Sequence, residues 1–219
     1  MRPVFAYTSS TSQEKLERHM KILVTAFDAF NKEPINPSLM MLEALPDELF
    51  GHEIVKQVLP TVFGESAALF LQRLAEVEPD AVLCLGQAGG RAAITLERVA
   101  INVNDASIAD NAGKQPTDEP IVADGPAAHF STLPNKAIVA ALREADIPAQ
   151  ISNTAGTYVC NQVLYAVLHY LSETDLPARA TFMHVPYLPS QVLEKPGVAS
   201  MNLDDMNRAL EIAIKVIGS

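Results

Sequence analysis

Short apolar runs rich in β-branched residues alternate along this chain with stretches of helical periodicity. The strand-like runs lie at 22–25, 53–59, 81–85, 99–103, 150–152 and 180–185. The helical stretches lie at 37–45, 64–76, 134–145, 159–172 and 203–217. A helix between two strands allows them to pair in parallel, because it returns the chain to the starting edge of the sheet. The alternation therefore predicts an α/β protein with three α/β/α layers around a twisted, mostly parallel central sheet.

The alternating pattern begins at Met20, and we predict a single domain over residues 20–219. The chain has 219 residues, of which 48% are hydrophobic, and this suits one substantial core better than two. Residues 1–19 are polar and lack the apolar middle of a secretory signal. We interpret them as an N-terminal extension, or as a leader placed before a natural start at Met20.

Charge and cysteine content exclude several classes of protein. The formal net charge of -10 disfavours nucleic-acid binding, which needs basic surface to displace phosphate counterions. No run reaches the roughly 20 apolar residues of a membrane span. Two cysteines make no disulfide framework, so free thiols and a reducing, cytoplasmic location are expected.

The chain also lacks the common motifs of metal, nucleotide and serine-hydrolase sites. No Cys and His cluster has the spacing of a zinc site, and there is no G-x-S-x-G elbow and no phosphate-binding loop. The glycines of "LGQAGGRA" at 85–92 do not fit the G-x-G-x-x-G pattern. Neither a metal nor an organic cofactor is expected.

Cys160 follows a turn-forming segment, "SNTAGT" at 152–157, and begins an apolar helical pattern. It should therefore lie in the first turn of a helix, where unpaired N–H groups and the helix dipole favour a thiolate. The alternative is a core cysteine, which is the commoner role of an isolated Cys in apolar surroundings. Cys84, within the strand run "AVLCLG", fits that structural role better.

A nucleophilic cysteine needs an imidazole to accept its proton and commonly an acid to orient that imidazole. His184 ends the strand run "ATFMH", and open α/β sheets bind ligands at the carboxyl ends of their strands. Glu97 lies among apolar residues in "ITLERVAIN" and would need a partner if it were buried. Two alternatives stay open here, namely a structural role for His184 and an exposed ion pair between Glu97 and Arg98.

Four separated blocks of the chain carry a recognisable pattern. They are "KILVTAFDAFNKEPINPS" at 21–38, "LGQAGGRAAITLERVAINVNDA" at 85–106, "SNTAGTYVCNQVLY" at 152–165 and "FMHVPYLPSQV" at 182–192. Together they resemble the pyrrolidone-carboxylate peptidases, or pyroglutamyl peptidases of type I, a family of cysteine peptidases. Shorter matches between the blocks extend the resemblance over essentially everything from Met20 onward.

The resemblance implies a cysteine exopeptidase that hydrolyses the amide bond after an N-terminal pyroglutamyl residue of a peptide. It implies that Cys160 is the nucleophile, with a depressed pKa, and that His184 accepts and returns its proton. Glu97 would orient His184, and the main-chain N–H of Cys160 would bind the oxyanion. Pyroglutamate would leave after hydrolysis of a thioester intermediate.

The resemblance also implies a pocket for the uncharged pyroglutamyl ring, built from an apolar slot and a few hydrogen-bonding groups. The matching substrate-binding residues in this chain are Phe27, Phe30, Gln87, Ile108 and Val159. For the two phenylalanines, ordinary core packing is the alternative role.

Two departures from the family pattern concern the same pocket. Ala26, Ala29 and the pair Asn31 and Lys32 stand where the family usually has Gly, Pro and a Gly-Gly pair, so we expect a differently shaped loop. Ser107 stands where the family commonly has an arginine. We therefore expect retained chemistry with an altered rate or specificity. The alternatives are a related cysteine amidase of altered specificity and a non-catalytic binding relative.

Two long segments, 104–133 and 186–202, are rich in turn residues and lack periodic apolar positions. Irregular segments of this length usually serve a function or an oligomer contact. Members of the family form tetramers or dimers, so the resemblance implies a homo-oligomer.

Overall fold

The computed structural model describes residues 19–219. The predicted extension at 1–19 therefore lies outside the described residues, apart from His19. The elements in chain order are β1 Lys21–Phe27, α1 Pro37–Ala44, β2 Glu48–Leu49, β3 His52–Leu59, α2 Glu65–Val77, β4 Ala81–Gln87, β5 Ile94–Glu97, β6 Val99–Ile101, β7 Ala128–Phe130, α3 Asn135–Glu144, β8 Ala149–Ser152, α4 Val159–Glu173, β9 Arg179–Val185, a 3-10 turn Pro189–Gln191 and α5 Leu203–Gly218.

Seven strands form one sheet in the order β2-β3-β1-β4-β9-β5-β8. Four neighbouring strands, β3, β1, β4 and β9, run parallel, as the crossover helices between them require. Strand β5 runs antiparallel to β9 and parallel to β8, while the short β2 is antiparallel to β3. The predicted α/β fold with a mostly parallel sheet is confirmed.

Helices cover both faces of this sheet, which makes the predicted three layers. Helices α1, α3 and α5 pack on one face and α2 and α4 on the other. The side chains of β4 point alternately to the two faces of the sheet. Leu83 and Leu85 lie on the face covered by α1, α3 and α5, and Val82 and Cys84 on the face covered by α2 and α4. Cys84 is a core residue, as its strand pattern indicated. Across residues 19–219, no helix combines the length and the apolar character that a membrane crossing requires.

The prediction of a sheet strand at 99–103 is wrong. Residues Val99–Ile101 do form a strand, but it pairs with Ala128–Phe130 in a separate two-stranded sheet. The strand in the central sheet is instead Ile94–Glu97, and all four of its residues are buried. The charge of Glu97 made this stretch resemble an exposed strand start, because ionised side chains are rarely buried without a partner.

The first turn of α4 is fixed by Asn161, whose side chain is completely buried. Its Oδ1 accepts a hydrogen bond from the Ile101 N–H at 3.0 Å, and its Nδ2 donates to the carbonyls of Ile101 at 2.8 Å and Val103 at 3.1 Å. One amide thus satisfies three backbone groups, two of them at the last residue of β6 and one just beyond it. It holds the start of α4, and Cys160 with it, against that segment.

We expect Asn161→Ala to lower the free energy of unfolding by about 1–3 kcal/mol, because it removes the hydrogen-bond partner of three partly buried backbone groups. The measurement is urea unfolding followed by circular dichroism. Asn202→Ala is the matched control, since Asn202 is exposed and makes no side-chain cap for α5. Equal effects of the two substitutions would contradict this anchoring role.

Candidate active site

His184 lies near the carboxyl end of β9 and is almost completely buried. In the strand register it is opposite Gly86 of β4 on one side and Thr95 of β5 on the other. Its Nδ1 is 2.7 Å from Glu97 Oε1, so Nδ1 carries the proton and donates it to the carboxylate. The other ring nitrogen, Nε2, is therefore left to act as a proton acceptor.

Glu97 has no solvent exposure, and it does not pair with Arg98, so the exposed ion pair considered from the sequence is wrong. The Oε1 atom of Glu97 accepts hydrogen bonds from His184 and from Arg91, whose Nη1 is 2.6 Å away. Arg91 comes from the turn between β4 and β5. Arg91 was not predicted from the sequence, although a nearby cation was the partner that a buried Glu97 required.

The protonation states of Glu97 and His184 follow from this arrangement. Burial alone would raise the pKa of Glu97, but the hydrogen bond and charge of His184, together with Ser152 and Arg91, hold that pKa below its ordinary value. Burial lowers the pKa of His184, and the charge of Arg91 lowers it further against the opposing effect of Glu97. At neutral pH the pair is thus an ionised carboxylate and a neutral imidazole.

Cys160 lies in the first turn of α4, as its sequence context predicted. Its sulfur lies against the backbone of Gly86, where a β-carbon added to that glycine would be 3.2 Å from Sγ and 2.7 Å from Phe182 Cζ. Only glycine leaves room there for the helix to approach the sheet. Gly86 of β4 is opposite His184 of β9 in the register. The sulfur above Gly86 and the imidazole of His184 therefore lie over adjacent positions of two neighbouring strands.

The expected depressed pKa of Cys160 is wrong for this state of the protein. The residue as a whole is only partly buried, but burial of the thiol beside Gly86 raises its pKa to about 12, with the negative charge of Glu97 as the next contribution. Arg91 and the backbone at Cys160 lower the thiol pKa without overcoming this effect. The resting site therefore holds a neutral thiol beside a neutral imidazole.

The turn before α4 is held by its own hydrogen bonds. Ser152 Oγ donates to the Thr154 carbonyl at 2.9 Å, and the Gly156 N–H donates to Thr154 Oγ1 at 3.1 Å. The helix cap, Tyr158, makes no side-chain bond to the first turn. The N–H groups of that turn, including that of Cys160, are thus left to bind a negatively charged oxygen.

Aromatic side chains surround this helix start. Phe27 is buried at the end of β1 and stacks on Phe182, with the ring centroids 6.3 Å apart. The Tyr158 ring contacts Phe30 at 6.2 Å and Phe63 at 5.1 Å between centroids. An apolar wall therefore lies beside Cys160, and Phe27 belongs at the same time to the core beneath it.

The remaining expected pocket residues differ in their surroundings. Val159 is fully buried, whereas Ile108 is 37% exposed at the rim. Gln87 follows Gly86 and so points to the opposite face of the sheet, where its Oε1 accepts a hydrogen bond from Gln191 at 2.8 Å. Tyr158 holds the segment that carries Ile108, because its hydroxyl donates to the Ala109 carbonyl at 3.2 Å.

The loop after β1 contains two residues with left-handed backbone. Asn31 has a φ of 54° and Lys32 a φ of 62°. Glycine adopts this conformation without strain, which is why the Gly-Gly pair of the family pattern suits these positions. At Asn31 and Lys32 the loop thus keeps a backbone conformation that the glycines would favour. Asparagine tolerates it better than most residues, whereas a side chain such as that of Lys32 costs about 1–2 kcal/mol there.

Two further observations concern the groups in and around the site. Ser107 is exposed and carries no charge. The positive charge in contact with Glu97 is that of Arg91. Among the described residues, no three His, Cys, Asp or Glu side chains are grouped so that they could hold a metal ion.

Comparison with known proteins gives consistent results. The family model described as pyroglutamyl peptidase matches residues 20–219. The chain is 53% identical over 198 residues to pyrrolidone-carboxylate peptidase 1 of Caldanaerobacter subterraneus, covering 90% of this chain and 98% of that protein. It is 54% identical over 198 residues to a pyrrolidone-carboxylate peptidase of Streptococcus pyogenes, covering 90% and 92%.

Solved structures are similar as well. The crystal structure of pyroglutamyl peptidase I from Bacillus amyloliquefaciens superposes with a TM-score of 0.87 at 42% identity, covering 91% of this chain and 97% of the other. A mutant pyrrolidone carboxyl peptidase from the hyperthermophile Pyrococcus furiosus gives a TM-score of 0.88 at 42% identity, covering 90% and 98%.

A neutral resting thiol predicts the pH dependence of alkylation at Cys160. We expect the rate with iodoacetamide to keep rising above about pH 8.5, the ordinary thiol pKa, because the thiolate is the reactive form. The measurement uses Cys84→Ala protein, so that a single thiol reacts, with peptide mapping of the product. A rate that levels off below about pH 7 would contradict it, since it would reveal a thiolate already formed.

Proposed function

The chain belongs to the pyroglutamyl peptidase family, and from this premise we propose that Cys160, His184 and Glu97 carry out its reaction. The reaction is hydrolysis of the amide bond that follows an N-terminal pyroglutamyl residue. The observation that carries the proposal is the buried hydrogen bond from His184 to Glu97, beside the sulfur of Cys160. A core cysteine with a structural histidine would not require an ionised carboxylate in the same buried place.

The reaction begins when the sulfur of Cys160 attacks the carbonyl carbon that joins the pyroglutamyl residue to the next residue, and not the carbonyl of the ring. Because the resting thiol is neutral, its proton passes to Nε2 of His184 as the carbon–sulfur bond forms. Glu97 stabilises the resulting imidazolium through Nδ1. The imidazolium then gives its proton to the departing amine nitrogen, and the carbon–nitrogen bond breaks to leave a thioester.

Hydrolysis of the thioester completes the cycle. Neutral His184 takes a proton from a water molecule whose oxygen attacks the thioester carbon. The carbon–sulfur bond then breaks, the sulfur regains a proton from His184, and pyroglutamate leaves. Each tetrahedral intermediate carries a negative oxygen, for which the Cys160 N–H is our proposed donor; one such donor contributes about 3 kcal/mol.

The pyroglutamyl ring is proposed to lie against the apolar wall beside Cys160. Phe27, Phe30 and Val159 carry no charge, which suits an amino end that is cyclised and uncharged. Of the three, Phe30 is partly exposed, while Phe27 and Val159 are buried. Ile108 would close the rim. The proposed role of Gln87 depends on its backbone or on a rearranged side chain, because its amide is bonded to Gln191.

A related cysteine amidase of altered specificity is the second candidate. It is favoured by Ser107, which supplies no charge where the family commonly has an arginine. It is also favoured by the side chains that Asn31 and Lys32 add to a loop whose backbone stays left-handed. Comparing kcat/KM for pyroglutamyl and prolyl amides separates the two candidates. Preference for the prolyl amide would favour altered specificity, and binding of pyroglutamate without any turnover would favour a non-catalytic relative.

We also propose a cytoplasmic location and a homo-oligomer, either a tetramer or a dimer. A catalytic thiol and a second free cysteine suit a reducing compartment. Exposed apolar side chains at Phe130 and Leu193 offer surface for contacts between copies. Light scattering during gel filtration tests the oligomer, and fractionation of cells tests the location.

We expect Cys160→Ala to reduce release of a fluorogenic amine from a pyroglutamyl amide to background, because no other group in the site can form the thioester. Cys84→Ala is the matched control and should keep kcat within a few-fold of the unsubstituted protein, since Cys84 lies in the core. Turnover that survives Cys160→Ala would refute the assignment.

A further inference from the structure

Arg91 connects three parts of the site that come from different segments of the chain. Its Nη1 donates to Glu97 Oε1 at 2.6 Å and also contacts Thr95 Oγ1. Its Nη2 donates to the carbonyl of Thr154 at 3.2 Å, in the turn that precedes α4. The Arg91 side chain is only 27% exposed, so its charge is directed inward and is poorly screened by solvent.

The carboxylate of Glu97 has an unequal set of partners. Oε1 accepts from both Arg91 and His184, whereas Oε2 is buried and makes no hydrogen bond. Arg91 is therefore the permanent positive charge in contact with this buried carboxylate, and His184 is a partner that is charged only during the reaction.

Removing the guanidinium would leave Glu97 two ways of avoiding an isolated buried charge. Glu97 could take up a proton, and it would then no longer stabilise the imidazolium of His184. Alternatively, His184 could be protonated in the resting protein, and it would then be unable to accept the thiol proton of Cys160. Both outcomes remove the base from the reaction.

The second contact of Arg91 concerns the position of the nucleophile. The carbonyl of Thr154 belongs to the turn that starts α4, while Glu97 lies on β5 of the sheet. A planar guanidinium that spans both groups holds the turn at a fixed distance from the carboxylate. The distance between Cys160 on α4 and His184 on β9 depends on that spacing.

We propose that Arg91 is a positioning residue of this reaction, which keeps His184 neutral at rest by neutralising Glu97 and ties the turn before Cys160 to the same carboxylate. The proposal rests on the proposed roles of Cys160, His184 and Glu97. The titratable groups that face Arg91 are Glu97 from β5, His184 from β9 and Cys160 from α4. Arg91 lowers the pKa of each of these three groups.

The decisive variants are Arg91→Gln and Arg91→Lys. Arg91→Gln should lower kcat by about 10- to 100-fold, the usual effect of losing a hydrogen bond to a charged group, with little change in KM. The acidic limb of the kcat/KM profile, where activity falls as the pH is lowered, should move to higher pH. Loss of the cation raises the pKa of both Glu97 and His184. Arg91→Lys keeps the positive charge but cannot bond Glu97 and Thr154 at once through a planar guanidinium. The acidic limb of its kcat/KM profile should therefore stay in place while kcat falls.

Arg98→Gln is the matched control. It removes the same charge only seven positions along the chain, but Arg98 is exposed and pairs with no group of the site. Its kcat and its acidic limb should equal those of the unsubstituted protein. In Arg91→Ala protein, added guanidinium chloride should restore part of kcat, whereas sodium chloride at the same concentration should not.

Two results would overturn the proposal. The first is an Arg91→Gln protein whose kcat and acidic limb of kcat/KM are both unchanged. The second is an equal loss of kcat in the Arg91→Gln and Arg91→Lys proteins with no shift of that limb, which indicates a merely structural role. If Arg91→Gln fails to fold, as judged by thermal unfolding, Arg91→Lys decides. Unchanged kcat in that variant overturns the proposal, and reduced kcat with an unshifted limb supports it.

A separate measurement distinguishes failure of this proposal from failure of the proposed function. If the unsubstituted protein does not cleave a pyroglutamyl amide, the function is wrong, but alkylation of Cys160 still reports on Arg91. Arg91→Gln should slow iodoacetamide labelling at a fixed pH, because Arg91 lowers the thiol pKa. Unchanged labelling would count against Arg91 whatever the substrate.

Discussion

The structure depends above all on one buried carboxylate. Glu97 is removed from solvent at the end of β5, where an ionised group is costly unless it is paired. Its single bonded oxygen brings together the turn after β4, through Arg91, and the end of β9, through His184. The hydrogen bonds that stabilise the buried charge of Glu97 thus also position His184, the base of the proposed reaction.

The topology of the sheet explains how these groups meet. Strand β5 runs against β9, so Thr95 is opposite His184 and Glu97 lies on the same face two residues away. On the other side of β9, Gly86 of β4 has no side chain, and α4 approaches closely enough to place the sulfur of Cys160 there. His184 on β9 is therefore hydrogen-bonded to Glu97 of the neighbouring strand β5. Cys160 lies on its other side, above the neighbouring strand β4.

The sequence predicted the parts of this site that local patterns describe. A turn followed by an apolar helical run placed Cys160 in a first helical turn, and a strand run placed His184 at a strand end. Arg91 and the true position of β5 were not predicted. The Arg91 contact to Thr154 spans 63 residues, and the β5 strand is recognisable only once Glu97 has partners from elsewhere in the chain. The raised thiol pKa was missed for a related reason, because desolvation by Gly86 and its neighbours is a property of packing and not of the helix start.

The neutral thiol of Cys160 has a consequence for the durability of the protein. Peroxides and other oxidants react with thiolates far faster than with protonated thiols. A sulfur that loses its proton only while a carbonyl carbon is within bonding distance spends little time in the form that peroxide attacks. A resting thiol in this neutral form is therefore converted to a sulfenic acid more slowly than a resting thiolate would be.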